Sequence, residues 1–291
     1  MDLLILLKNS PDLLAIVVSV IGLCIGSFLN VVIYRLPVMM QQEWRQQCQQ
    51  FLELESPTSE NSPAINLLYP DSHCPYCQQA IKFYHNIPVV SYLFLKGHCA
   101  YCQHSISWRY PLIELLTAIV SIIVCYHFGY GLALLAGLVL SWMLITLTFI
   151  DFDHQLLPDS LTLSGLWLGL LLSLTDIFTT PATSILGAAG GYLSLWLVYQ
   201  GFKLVTGKEG MGYGDFKLLA MLGAWLGWQM LPAIIFLSSL VGAVIGILLV
   251  IFKGRDHQIP IPFGPYLAVA GWIALLWGQE INDWYLKTIG L

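Results

Sequence analysis

Charge is scarce in this sequence. Only 10% of its 291 residues are Asp, Glu, Lys or Arg, where a soluble domain carries roughly a quarter, so too little charge exists to cover a water-facing surface. Cations are the scarcest group: twelve Lys and Arg stand against seventeen Asp and Glu, for a net charge of -5. That excludes a nucleic-acid-binding surface, which needs clustered cations to displace counterions. Also absent is any glycine-rich nucleotide loop following a strand pattern. What fills the chain is apolar, with 57% hydrophobic residues and a mean hydropathy of +0.73. Ten Trp and fourteen Tyr accompany it, as expected where amphipathic aromatics collect at bilayer interfaces. The chain reads as an integral membrane protein.

A bilayer core needs about 20 apolar residues per helix. Such segments lie near 13–34, 111–128, 131–150, 160–178, 184–204, 217–231, 232–252 and 262–281. The pattern predicts an all-α polytopic membrane protein with about eight transmembrane helices. The sixth segment is the weakest, being short and nearly fused to the seventh at Pro232. The first is too long for a signal-peptide core and leads into Asn30, Tyr34 and Arg35 rather than a small-residue cleavage site. On this reading 1–36 holds the first span, 37–110 a loop, and 111–291 a seven-helix membrane core. Small-xxx-small pairs at Gly22 and Gly26, Gly165 and Gly169, Gly187 and Gly191, and Gly242 and Gly246 suit close helix packing in lipid.

The cations set the orientation. Arg35, Arg45, Lys82, Lys96 and Arg109 lie between spans one and two; Lys203, Lys208 and Lys217 follow span five; Lys253 and Arg255 follow span seven. The alternate loops, around Gly129, Thr180 and Gln229, have none. The long first loop is therefore expected to be cytoplasmic, with both termini on the other side. Its first half, Gln41 to Ser62, is rich in Gln, Glu, Ser and Pro and reads as a partly helical or mobile insert without chemistry.

The second half of the loop carries HCPYC at 73–77 and HCAYC at 98–102. Cys74 with Cys77, and Cys99 with Cys102, make two C-x-x-C knuckles, which together supply the closed tetrahedral four-cysteine set that structural Zn2+ favours. A reducing cytoplasm disfavours disulfides, and the spacing is not that of a ferredoxin. Redox or idle thiols are the competing reading. His73 and His98 are not needed as ligands, since four thiolates saturate the ion. Cys24 and Cys125 fall in spans and Cys48 in the insert, where they read as packing or spare residues.

Carboxylates inside membrane segments mark function by default. The third span ends in TFIDFDHQLLPDSLTL, with Asp151, Asp153 and Asp159, and the sixth begins in EGMGYGDFKLL, with Asp215. Two spans separate them, so both groups lie on one face, the face of the cysteine loop. Two carboxyls close together hold one shared proton, which suits an aspartic-protease pair: one acts as base on water while the other protonates the scissile carbonyl. Gly210, Gly212 and Gly214 leave the backbone beside Asp215 open to close approach. Residue chemistry alone leaves Asp151 and Asp153 as alternatives for the partner. Asp159, after Pro158, reads as an N-cap of span four, and Glu114 as a structural polar contact between helices or a side chain that snorkels to the interface.

Six ordered motifs carry a resemblance over nearly the whole chain. They are GSFLNVVIYRLP at Gly26–Pro37, the paired knuckles, NIPVVSYL at Asn86–Leu93, RYPLIELLT at Arg109–Thr117, IDFDHQLLPD at Ile150–Asp159 and GMGYGDFKL at Gly210–Leu218. The sequence resembles the bacterial type IV prepilin peptidases, bifunctional leader peptidases and N-methyltransferases of the GxGD-type membrane aspartic peptidases. The resemblance implies Asp151 and Asp215 as the catalytic pair, with Asp153 and Asp159 in support, and makes 111–291 the peptidase core. It further implies cleavage of type IV prepilins and type II secretion pseudopilins after a glycine, at the cytoplasmic face of the inner membrane. The new N-terminal residue would then be methylated from S-adenosylmethionine, whose site no residue pattern reveals. Ser164 stands where the family often has proline. A peptidase without methyltransferase activity, and a non-enzymatic transporter or secretion scaffold whose acids line a polar pathway, are the competing classes.

Overall fold

The computed structural model describes residues 3–52, 66–253 and 262–289. Among these the secondary structure is helical, with isolated bridges His73–Ala80 and His98–Ser105 in place of strands. The chain divides into two compact units, 1–126 and 127–291.

In the first unit a short helix α1 (Leu3–Asn9) precedes α2 (Pro11–Phe51). Pro11 opens α2, where its missing N–H has no partner to lose. At 41 residues α2 is about 60 Å long, twice the roughly 30 Å of a bilayer core. It passes Pro37 without ending, so Gln41–Phe51, the start of the expected insert, continues the first span as helix. The rest of that insert, 53–62, lies outside the described residues. The loop that follows contains α3 (Val90–Phe94) and leads into α4 (Arg109–Phe128). Arg35 ties the loop to α2 by donating to the carbonyls of Asn66 at 3.0 Å and Pro70 at 2.6 Å. Gly22 and Gly26 are the contact between α2 and α4: a Cβ on them would lie 2.9 Å from Ala118 Cα and 2.7 Å from Glu114 Cα, closer than real side chains come. Asn30 fastens the same seam by donating to the Tyr110 carbonyl at 3.2 Å.

The second unit holds α5 (Leu132–His154), α6 (Asp159–Leu172), α7 (Pro181–Thr206), α8 (Tyr213–Leu226), α9 (Leu231–Lys253) and α10 (Gly264–Ile289). Its core is α8, which is apolar around its whole circumference and buried from Leu218 to Leu226, as a helix without a solvent or lipid face must be. The expected small residues receive it. Gly187 and Gly223 bring the α7 and α8 backbones into contact, Trp225 covers Gly169, and its indole donates to the Gly165 carbonyl at 2.8 Å. Ser184 donates to the Ala224 carbonyl at 2.5 Å. Centrality explains why the sixth apolar segment is short: α8 has 14 residues and is wrapped by neighbours. A turn at Gly227, with φ +83°, separates it from α9, and Pro232 falls harmlessly in the first turn of α9.

Helices α2 and α4–α10 follow the eight apolar segments in order. Among the described residues, five segments are long and apolar enough to cross a membrane: α2, α4, α5, α7 and Trp228–Leu248; α6 with its continuation to Thr175 is a shorter apolar helix.

Candidate functional site

The two knuckles are built alike. Cys74 N–H bonds to the Gln79 carbonyl at 3.0 Å, and Gln78 N–H to the Cys74 carbonyl at 2.9 Å; the same pattern recurs with Cys99, His104 and Gln103. Gln78 and Gln103 both adopt φ +56°, the left-handed turn that closes each knuckle. His73 and His98 each bond through Nδ1 to the carbonyl two residues earlier, and neither belongs to the cluster of four thiols. The four Sγ atoms of Cys74, Cys77, Cys99 and Cys102 lie within 4.8 Å of one another, and Cys74 and Cys102 are 3.8 Å apart. A tetrahedron with metal–sulfur bonds of about 2.3 Å has sulfur–sulfur edges of about 3.8 Å. Backbone N–H groups of Cys77 and Tyr76 bring the Cys74 thiol down to about 6, and those of Cys102 and Tyr101 lower Cys99 in the same way. The donor set and its spacing fit a metal ion.

The carboxylates of the second unit meet where three helix ends converge. Asp151 occupies the last turn of α5, which Gln155 closes at φ +52° with its N–H on the Asp151 carbonyl at 2.9 Å. Asp215 occupies the first turn of α8, behind Gly212, whose carbonyl accepts the Asp215 N–H at 3.3 Å. Gly264 opens α10 with its backbone against the Asp151 carboxyl. Asp151 and Asp215 are 5% and 7% exposed, and they interact electrostatically. Oδ2 of Asp151 is buried with no hydrogen-bond partner among the described residues. The N-termini of α8 and α10 both present partial positive charge here, which favours anionic oxygen.

The glycines matter at two places. A Cβ on Gly264 would lie 2.5 Å from Asp151 Oδ2, and one on Gly214 would lie 2.8 Å from Leu157 Cβ. Leu157 also sits 3.2 Å from that Gly264 position, so this side chain packs against the starts of both α8 and α10. The loop before Gly212 is held by Lys203, which bonds Glu209 at 2.8 Å and the Tyr199 hydroxyl at 3.3 Å. Tyr199 in turn packs its ring against Tyr213 and Phe216.

The other expected acids are elsewhere. Asp153, two residues past Asp151 and so on another side of the helix, is exposed. Asp159 is not an N-cap: it is the first residue of α6, Pro158 holds the cap position, and the Asp159 carboxylate accepts from Lys217 at 2.6 and 2.7 Å. Long-range pairing with α8 has replaced the local cap. Glu114 accepts the Val89 N–H at 2.7 Å, a structural contact as expected. Nothing in the local pattern singles out Gly264, a lone glycine between Phe263 and Pro265. Its G-P step at the start of an apolar span is the one signal available.

Comparison with known proteins agrees with this division. Residues 20–128 match the Bacterial Peptidase A24 N-terminal domain, and residues 138–247 match the Type IV leader peptidase family. A prepilin leader peptidase/N-methyltransferase of Aeromonas salmonicida is 53% identical over 99% of both chains. The protein of that name from Pseudomonas aeruginosa is 51% identical over 100% of this chain and 99% of its own. The one from Legionella pneumophila is 44% identical over 97% of each. No solved structure matches. With near-complete coverage at such identity, and two buried carboxyls at the helix ends where the motifs fall, the chain belongs to the type IV leader peptidase family.

Proposed function

We propose that this protein is a membrane aspartic endopeptidase and N-methyltransferase, with Asp151 and Asp215 as its catalytic pair. It removes the leader from type IV prepilins and type II secretion pseudopilins after a glycine, then methylates the new N-terminus. The observation that carries this is the burial of two interacting carboxyls at adjoining helix ends. Two carboxyls so placed hold one proton between them. The ionised one takes a proton from water as the water oxygen attacks the scissile carbonyl carbon; the protonated one gives its proton to the carbonyl oxygen. Collapse of the tetrahedral intermediate breaks the C–N bond, and a proton passes to the departing amine. Gly212 has open space where a side chain would stand, its Cβ position meeting nothing nearer than Asp215 Oδ2 at 3.9 Å, so a peptide strand can approach the pair closely there. The basic loops put this end of the helices at the cytoplasmic face of the inner membrane.

Zn2+ is the ion that suits Cys74, Cys77, Cys99 and Cys102, because four thiolates close the tetrahedron and leave no position for catalysis. Its contribution is to staple a loop that has few core residues of its own. Purified protein is expected to carry one zinc per chain, measured by metal analysis. The Cys74→Ser, Cys102→Ser double variant should lose it, and full retention there would remove the assignment.

Methyl donation from S-adenosylmethionine needs a deprotonated amine held in line with the donor carbon, which is a matter of positioning. A water-activating carboxylate pair has no part in it. Pre-cleaved pilin with labelled donor is therefore expected to be methylated by Asp215→Asn at near wild-type yield, and more weakly by Cys99→Ser. Counting transferred label tests this: loss in Asp215→Asn with an intact fold would mean that one site serves both reactions. Cleavage and methylation of a prepilin by the purified wild type tests the function as a whole.

A further inference from the structure

Between the two knuckles runs a stretch of thirteen residues, Phe83 to Leu95, without Asp, Glu, Lys or Arg, bounded by Lys82 and Lys96. A small metal-stapled loop in water would turn its apolar side chains inward. Here they point out: Phe83 is 86% exposed, Phe94 84% and Leu93 68%, and Ile87 and Val90 are exposed too. One hydrogen bond ties this stretch to α4. Val89 donates its N–H to Glu114 Oε2, and α3 begins at the next residue. Glu114 lies five residues inside α4 from Arg109, which is about 7 Å along the helix axis. Exposed Trp108 and its neighbour Arg109 form the aromatic and cationic collar expected where α4 leaves the bilayer. Val89 is thus held beside the first turns of α4, next to that collar. Two further bonds fix α3 there: Tyr92 donates to the Ile106 carbonyl at 3.5 Å, and Gly97 N–H to the Tyr92 carbonyl at 2.9 Å.

We propose that Phe83–Leu95 is a membrane-dipping segment. Helix α3 lies in the interfacial layer with Leu93 and Phe94 among the acyl chains, while Lys82 and Lys96 reach back to lipid phosphates. The occupant of this apolar face is lipid, because the face is continuous with the membrane boundary of α4 and flanked by cations that match anionic headgroups. The cysteine knuckles on either side are then drawn onto the membrane surface. This inference rests on the chain being a membrane protein and stands independently of the peptidase assignment.

The test uses full-length protein reconstituted in vesicles of phosphatidylethanolamine and phosphatidylglycerol. A fluorescent amino acid replaces Phe94, and in a control protein it replaces Gln79, exposed on a knuckle. Spin-labelled lipid with a shallow acyl label should quench the probe at position 94 several-fold more than the one at 79, and aqueous iodide should do the reverse. Leu93→Glu in the Phe94-probe protein should weaken the lipid quenching, with metal content unchanged as the check on folding. Equal quenching at the two positions would overturn the proposal, as a solvent-facing loop. So would protection of position 94 from both quenchers, which would mean a protein surface or a second copy covers it.

Discussion

Asp151→Asn and Asp215→Asn are each expected to lower the rate of leader cleavage roughly 10³-fold or more, within the range a lost acid or base produces. An amide keeps the volume of the side chain but neither shares the proton nor takes one from water. The fold should survive, because both positions end helices whose cores lie elsewhere: α8 is held by Phe216, Leu219, Leu222 and Trp225, not by its carboxylate. Asp153→Asn is the control, since Asp153 is exposed and on another side of α5. Asp159→Asn should also cleave well, for an exposed pair with Lys217 contributes about 0–1 kcal/mol. Rates with purified protein and a prepilin distinguish these. Near wild-type cleavage by Asp151→Asn would overturn the assigned pair.

Gly264→Ala is the second large effect, and it involves no titratable group. The added methyl would stand 2.5 Å from Asp151 Oδ2 and 3.2 Å from both Asp151 Cγ and Leu157 Cδ1. Something must shift, and overpacking of this kind costs about 1–3 kcal/mol. The freest element is the Asp151 carboxyl, the group nearest the added methyl. A displacement of about 1 Å at a reacting group lowers rates on the order of 100-fold. Cleavage should therefore fall about 100-fold, with zinc content and methylation of pre-cleaved pilin unchanged. If Gly264→Ala cleaves like the wild type, α10 does not position Asp151. Gly129→Ala, by contrast, would meet nothing within 4 Å, so any loss there would be one of backbone strain at φ +63°.

Membrane insertion, the order of the apolar segments and the four-cysteine set were legible in the chain itself. Each depends on quantities that are local and linear: the length of an apolar run, the two-residue gap of a C-x-x-C, the side on which cations collect. Helix-contact glycines were legible too, at 22 and 26, 165 and 169, and 187 and 191, because a four-residue spacing puts both on one helix face. Where Asp159 turns was not. A local cap and a distant lysine compete for one carboxylate, and only the packing of α6 beside α8 brings Lys217 within 2.6 Å. The continuation of α2 to Phe51 was likewise hidden, since a helix leaving the bilayer loses the apolar period that marks it. Residue chemistry by itself left Asp151 and Asp153 equal, and the family resemblance was needed to prefer one. Tertiary structure separates them by burial: Asp151 is buried against the start of α10 at Gly264, and Asp153 is exposed. Gly264 lies more than a hundred residues beyond Asp151. No pattern along the chain encodes a steric requirement between such distant positions; it exists only once α5 and α10 are packed.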